Sequence, residues 1–181
     1  PLRRWIADRH GVDEAQVLVT NGSMQADAFF FDELAGPGDE VIVERPTYDR
    51  TLLALGQRGA KVHAVSLESD GIDTAAVEDL LKAGSRPTFA HIIPTFQNPA
   101  GCTISLTKRH KLLELAGEYD FTIFEDDPYV SLRFTGESIP SMQSLDTNGH
   151  VVYACSFTKT VCPGVRVGYL IGNPPMIAKI A

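Results

Sequence analysis

Lys159 and Arg166 stand seven positions apart in Ser156-Phe157-Thr158-Lys159-Thr160 and Pro163-Gly164-Val165-Arg166-Val167-Gly168-Tyr169, amid hydroxyls and apolar residues. Two cations brought to one pocket repel each other, which depresses a lysine pKa, so Lys159 is expected to serve as an amine nucleophile at neutral pH. The alternative, two solvated surface cations, fits the apolar flanks poorly. Upstream, Glu125-Asp126-Asp127-Pro128-Tyr129 sets consecutive carboxylates where burial is costly unless a cation pairs with them. A surface acidic turn or a metal site would use such carboxylates too, but no His or Cys lies nearby to complete the latter.

Three further segments carry candidate binding groups. Pro94-Thr95-Phe96-Gln97-Asn98-Pro99-Ala100-Gly101 is a rigid loop that would hold the Asn98 amide where it can donate to a ligand oxygen, although Asn-Pro is also an ordinary turn device. Arg45-Pro46-Thr47-Tyr48 fixes a non-helical path that would present the Tyr48 ring for stacking on a flat heteroaromatic group, or bury it as a core tyrosine. In Asn21-Gly22-Ser23-Met24-Gln25-Ala26 a turn feeds a helix whose first N–H groups can hold a phosphate. The plain alternative there is a helix capped by Ser23.

These segments share one position: each follows an apolar run rich in β-branched residues. Strands are expected at Val17–Thr20, Glu40–Glu44, Lys61–Val65, Thr88–Ile93, Thr122–Glu125, Val151–Cys155 and Val165–Ile171. Amphipathic helices at Met24–Leu34, Thr51–Gln57, Asp73–Leu81 and Thr107–Tyr119 separate them, the βαβ rhythm of a three-layer α/β/α domain with a mixed, mostly parallel sheet. Only Val165–Ile171 follows its predecessor too closely for a helical crossover, so it is expected to run antiparallel. Ligands of open α/β sheets bind at strand carboxyl ends, where the five segments fall.

The 181 residues, 44% hydrophobic and 22% charged, fit one globular domain with a real core. A net charge of −7 argues against nucleic-acid or anionic-membrane binding through this segment. Cys102, Cys155 and Cys162 form neither a paired set nor a CxxC site, which points to a reducing, cytoplasmic setting. No apolar run reaches the roughly 20 residues of a membrane span. The absence of an initiator Met and the open-ended helical pattern at the close suggest a piece of a longer polypeptide.

Taken in order, GSMQA, PTY, QNPAG, EDDPY and SFTK with PGVRVGY resemble the class I/II aminotransferases of fold type I, nearest the aminoadipate, kynurenine and aromatic aminotransferase branch. The resemblance covers most of the chain. It implies pyridoxal 5′-phosphate as cofactor, an α-amino acid and a 2-oxo acid as substrates, and a homodimer. The segment would be the cofactor-binding large domain, without an N-terminal segment and a C-terminal small domain. By the same resemblance Lys159 carries the cofactor as a Schiff base, and Asp126, which has the D-x-x-Y spacing to Tyr129, partners the pyridinium nitrogen. Tyr129 and Asn98 would bond the ring hydroxyl and Tyr48 would stack on the ring. Ser23, the backbone N–H of Met24, Ser156 and Arg166 would form the phosphate cup. The same framework also serves decarboxylases, lyases, synthases and the effector domain of winged-helix GntR/MocR-type regulators.

Overall fold

The computed structural model describes all residues, Pro1–Ala181. Its eight strands are β1 (Val17–Thr20), β2 (Glu40–Arg45), β3 (Lys61–Glu68), β4 (Gly71–Ile72), β5 (Pro87–Ile92), β6 (Thr122–Asp126), β7 (Val151–Ser156) and β8 (Gly168–Ile171). They make one sheet in the order β1-β8-β7-β6-β5-β2-β3-β4. β7, β6, β5, β2 and β3 are parallel neighbours, while β8 runs antiparallel to both β7 and β1, as its short connection requires.

Strands covered on both faces must be apolar on both, which is why these segments read as continuous apolar runs. Residues alternate between the two sides. Ile42, Ala90, Ile92 and Ile123 meet α4 (Thr74–Lys82) and α5 (Leu106–Tyr119) through Val77, Leu81, Leu112 and Leu115. Val41, Val43, Phe89, Phe124, Val152 and Leu170 meet α2 (Ser23–Leu34), α3 (Asp49–Arg58) and α7 (Pro174–Ile180). There Phe30 lies 5.0 Å from Phe89 and 4.5 Å from Phe124 between ring centroids. Losing such a buried ring typically costs about 3–5 kcal/mol, so this face anchors α2. α1 (Leu2–His10) covers the sheet's far end, against Val17, Tyr153, Tyr169 and Ile171.

The sequence reading needs three amendments. The expected strand Val165–Ile171 is only Gly168–Ile171, because Pro163–Val165 forms a 3-10 turn and Arg166 adopts a left-handed φ of 47°. α1 and the short helix α6 (Met142–Leu145) carry no strong periodic signal in the sequence. β3 runs three residues further than expected, to Glu68, because Leu67 and Glu68 pair with Ile72 and Gly71 of β4 in a hairpin.

Candidate active site

A cavity of about 220 Å³ opens where the carboxyl ends of β1, β2, β5, β6 and β7 converge. All nine residues singled out from the sequence line it: Ser23, Met24, Tyr48, Asn98, Asp126, Tyr129, Ser156, Lys159 and Arg166. A larger hollow of about 610 Å³ lies on the other side of the Ser156–Val161 segment, bounded by His10, Asp127, Tyr153 and Tyr169. Chemistry, not volume, distinguishes the two, since Lys159 and Arg166 face only the smaller.

The neighbouring aspartates part company through strand alternation. Asp126 shares its face with Phe124 and enters the cavity, whereas Asp127 shares the side of Glu125 and enters the larger hollow. Asp126 is 7% exposed and its Oδ1 is sealed from solvent with no hydrogen-bond partner. Its other oxygen lies 3.8 Å from His91 Nε2. That contact is not an ion pair, because burial lowers the His91 pKa to about 4 and leaves the ring neutral at pH 7. Burial, then the charge of Asp127, holds the Asp126 carboxyl well above the usual range. A buried carboxylate without a partner favours a cationic donor, which makes it a good seat for a protonated ring nitrogen.

Asp27 is a wall residue that the sequence reading missed. It sits one helical turn after Ser23, so the two share a face of α2, but that spacing alone does not set it apart from any other helix-interior residue. Its Oδ1 is also sealed and unpartnered, and burial followed by the Asp126 charge raises its pKa. Ile93, Pro128 and Thr158 complete the lining.

At the other side, α2 begins with Gly22 as its cap (φ 74°) and no side-chain capping bond. Ser23 is therefore the first helical residue rather than the cap, and its hydroxyl faces the cavity beside the free N–H groups of the first turn. The Arg166 guanidinium lies so close to Gly22 that a Cβ there would strike it. Gly168 permits this approach, since a Cβ on it would sit 2.5 Å from the Gly22 carbonyl carbon. Ser156 Oγ accepts the Thr158 N–H at 3.1 Å and lies 2.8 Å from Thr158 Oγ1, which bends the chain out of β7 toward Lys159. Helix N–H groups, hydroxyls and a guanidinium thus converge as a dianion requires. Lys159, Arg166 and Met24 are exposed, contrary to the apolar setting expected for the two cations.

Between these ends, Asn98 Nδ2 donates to Tyr129 Oη at 3.4 Å. Burial raises the Tyr129 pKa and the Asn98 bond opposes it. Tyr48, half-buried, precedes α3 in extended conformation and closes the wall. Asn98–Pro99 and Arg45–Pro46 are cis peptides.

Residues 2–181 match the family model described as aminotransferase class I and II. The chain belongs to this family. Among curated relatives, an uncharacterized aminotransferase of Saccharolobus solfataricus is 40% identical over 94% of this chain and 43% of its own length. Aromatic-amino-acid aminotransferase 1 of Thermococcus litoralis is 35% identical over 99% of the chain and 44% of its own. Among solved structures, the alpha-aminoadipate aminotransferase of Thermus thermophilus, complexed with N-(5′-phosphopyridoxyl)-L-leucine, superposes with a TM-score of 0.95 at 34% identity, covering 99% of this chain and 47% of that one. The Pyrococcus horikoshii kynurenine aminotransferase, in complex with PMP, gives 0.92 at 36% identity, covering 99% and 46%. The chain of this class I and II family member thus spans less than half the length of the relatives it matches.

Proposed function

We propose that this chain is the cofactor-binding domain of a longer aminotransferase that uses pyridoxal 5′-phosphate to move an amino group between an α-amino acid and a 2-oxo acid. The observation that carries the reading is the convergence of an amine, an unpartnered buried carboxylate and a set of hydroxyls with a guanidinium on one cavity. The residues fit the cofactor at both ends. The Asp126 carboxyl, on the cavity wall without a hydrogen-bond donor, suits a ring N–H, and the Ser23 and Ser156 hydroxyls with Arg166 suit a phosphate.

Once bound, the cofactor supplies an electron sink for the bond broken at the substrate Cα. The chain's own groups do the rest. Asp126, ionised by its new cationic partner, keeps the ring nitrogen protonated. Ser23, Ser156, Arg166 and the first N–H groups of α2, Met24 among them, fix the phosphate. Tyr129 and Asn98 hold the ring hydroxyl, and Tyr48 covers the ring face. Lys159 would hold the cofactor, and its Nζ, as a free base, would hold and move a proton between two carbons separated by the intervening nitrogen. The named aminotransferase relatives favour transfer over a regulatory or decarboxylating role.

The reading extends to a cytoplasmic homodimer. Three unpaired cysteines support a reducing compartment. An apolar patch of Leu2, Trp5, Phe157, Val161, Val165 and Val167, next to the Lys159 segment, supports burial against a second copy. In the full-length protein, borohydride reduction with pyridoxal 5′-phosphate should label Lys159 alone, mapped by mass spectrometry, and Lys159→Ala should lose the label and at least ~1,000-fold of amino-group transfer. Label on a different lysine would overturn the assignment, and sedimentation as a monomer would overturn the dimer.

A further inference from the structure

Gln97 lies outside the cavity wall, yet it is 1% exposed and all of its side-chain polar groups are engaged. Its Nε2 donates to Glu44 Oε2 at 3.0 Å and to the Pro46 carbonyl at 2.9 Å, and its Oε1 accepts the Ala100 N–H at 2.8 Å. Its backbone N–H donates to the Cys102 carbonyl at 2.8 Å and its own carbonyl accepts from Gly101 at 2.5 Å, which closes the Asn98 loop on itself. Glu44, also 1% exposed, accepts the Ile93 N–H at 3.1 Å with the same oxygen that receives Gln97. One pair of side chains therefore ties the end of β2, the end of β5 and the Asn98 loop together. Tyr48 stands two residues beyond Pro46, and Asn98 follows Gln97 directly.

We propose that Glu44 and Gln97 form a buried strut that sets the position of Asn98 relative to Tyr48, and thereby how tightly a flat aromatic cofactor is held between them. This rests on the cofactor reading above. Both are positioning residues, since neither touches the cavity. Loops left to themselves sample many conformations, and a pocket displaced by about 1 Å loses much of its binding. Burial raises the Glu44 pKa to about 8, so at pH 7 it is a neutral acid that a glutamine can imitate.

The test uses the full-length protein, pyridoxal 5′-phosphate as probe, and three readouts: equilibrium affinity, the absorption band of the bound cofactor, and the thermal midpoint without cofactor. Gln97→Ala is expected to weaken affinity roughly tenfold and shift the band, as loss of the three side-chain hydrogen bonds implies. Glu44→Gln should stay within about twofold, because it still offers an acceptor to Ile93 and Gln97. In an Asn98→Ala background, Gln97→Ala should add less than about twofold, the mark of residues acting through one another. If Gln97→Ala does not fold, the near-isosteric Gln97→Glu, which sets an acceptor against Glu44 and the Pro46 carbonyl, carries the same expectation of roughly tenfold weakening. Full additivity with Asn98→Ala, or unchanged affinity and band in a folded Gln97 variant, would overturn the strut alone. Failure of the unmutated protein to attach the cofactor at Lys159 would overturn the cofactor reading and the strut with it.

Discussion

Glu40 and Glu44 open and nearly close the same strand, β2, and their surroundings drive them in opposite directions. At the strand's start Glu40 accepts from Lys61 at 2.8 Å, from the Arg86 N–H at 3.2 Å and from the Ser85 hydroxyl, with His63 3.1 Å away. The hydrogen bond from Lys61, then that from Ser85, lowers its pKa to about 2. At the strand's end burial raises Glu44 to about 8, and at the end of β6 it raises Glu125 to about 7 and Asp127 to about 6. The amino ends of the strands are finished as ordinary surface, while the carboxyl ends are loaded with carboxyls that fold at a cost. Groups with strongly shifted protonation concentrate around functional sites, and these surround the cavity that Asp126 enters.

The largest effect should separate the two aspartates at the end of β6. Asp126→Ala in the full-length protein is expected to lower amino-group transfer by roughly 1,000-fold or more, as loss of the group that holds the ring proton implies. Asp127→Ala, whose side chain enters the other hollow, should cost less than about tenfold, acting only through packing. Steady-state kinetics of both variants decide the matter. The opposite ranking would mean that strand alternation does not set the chemistry here.

Next in size is a pH effect on the cofactor-free protein. Glu44, Glu125 and Asp127 have folded pKa values of about 8, 7 and 6, above their ordinary values of 4.5, 4.5 and 3.8, so the folded state binds more protons between pH 4 and 8. Their contribution is present below the unfolded values and is lost as pH rises through the folded ones. Glu40 has the reverse sign, and its stabilisation is lost as pH falls below its unfolded value of 4.5 toward about 2. Denaturant titrations should therefore find maximal stability near pH 4–5 and a decline of about 3 kcal/mol or more by pH 8. Glu44→Gln should flatten that decline, and a stability that rises toward pH 8 would contradict the contrast between the strand ends.

The smallest effect belongs to the other end of β2. Lys61→Ala removes an exposed partner of Glu40 and should leave the thermal midpoint nearly unchanged, because water and salt screen such pairs. The Glu40 pKa, followed by NMR, should rise toward its ordinary value. A large loss of stability would mean that the amino end is as finely built as the site.

By itself the sequence determined which segments alternate as strands and helices, because period-two and period-3.6 patterns follow from local backbone geometry. It also exposed the nine wall residues, because their motifs follow strands, where ligands of α/β sheets gather, and in order resemble those of one family. Local pattern could not supply Asp27, which reads as an ordinary helix interior until α2 docks its Ser23 face beside Asp126. Nor could it show the left-handed turn at Arg166, which depends on Gly168 passing within contact of the Gly22 backbone. The pairing of Gln97 with Glu44, 53 positions apart, likewise exists only after β2 and β5 become neighbours. Tertiary structure alone decided these features, because burial and contacts between distant strand ends are properties of the assembled sheet and not of any single segment.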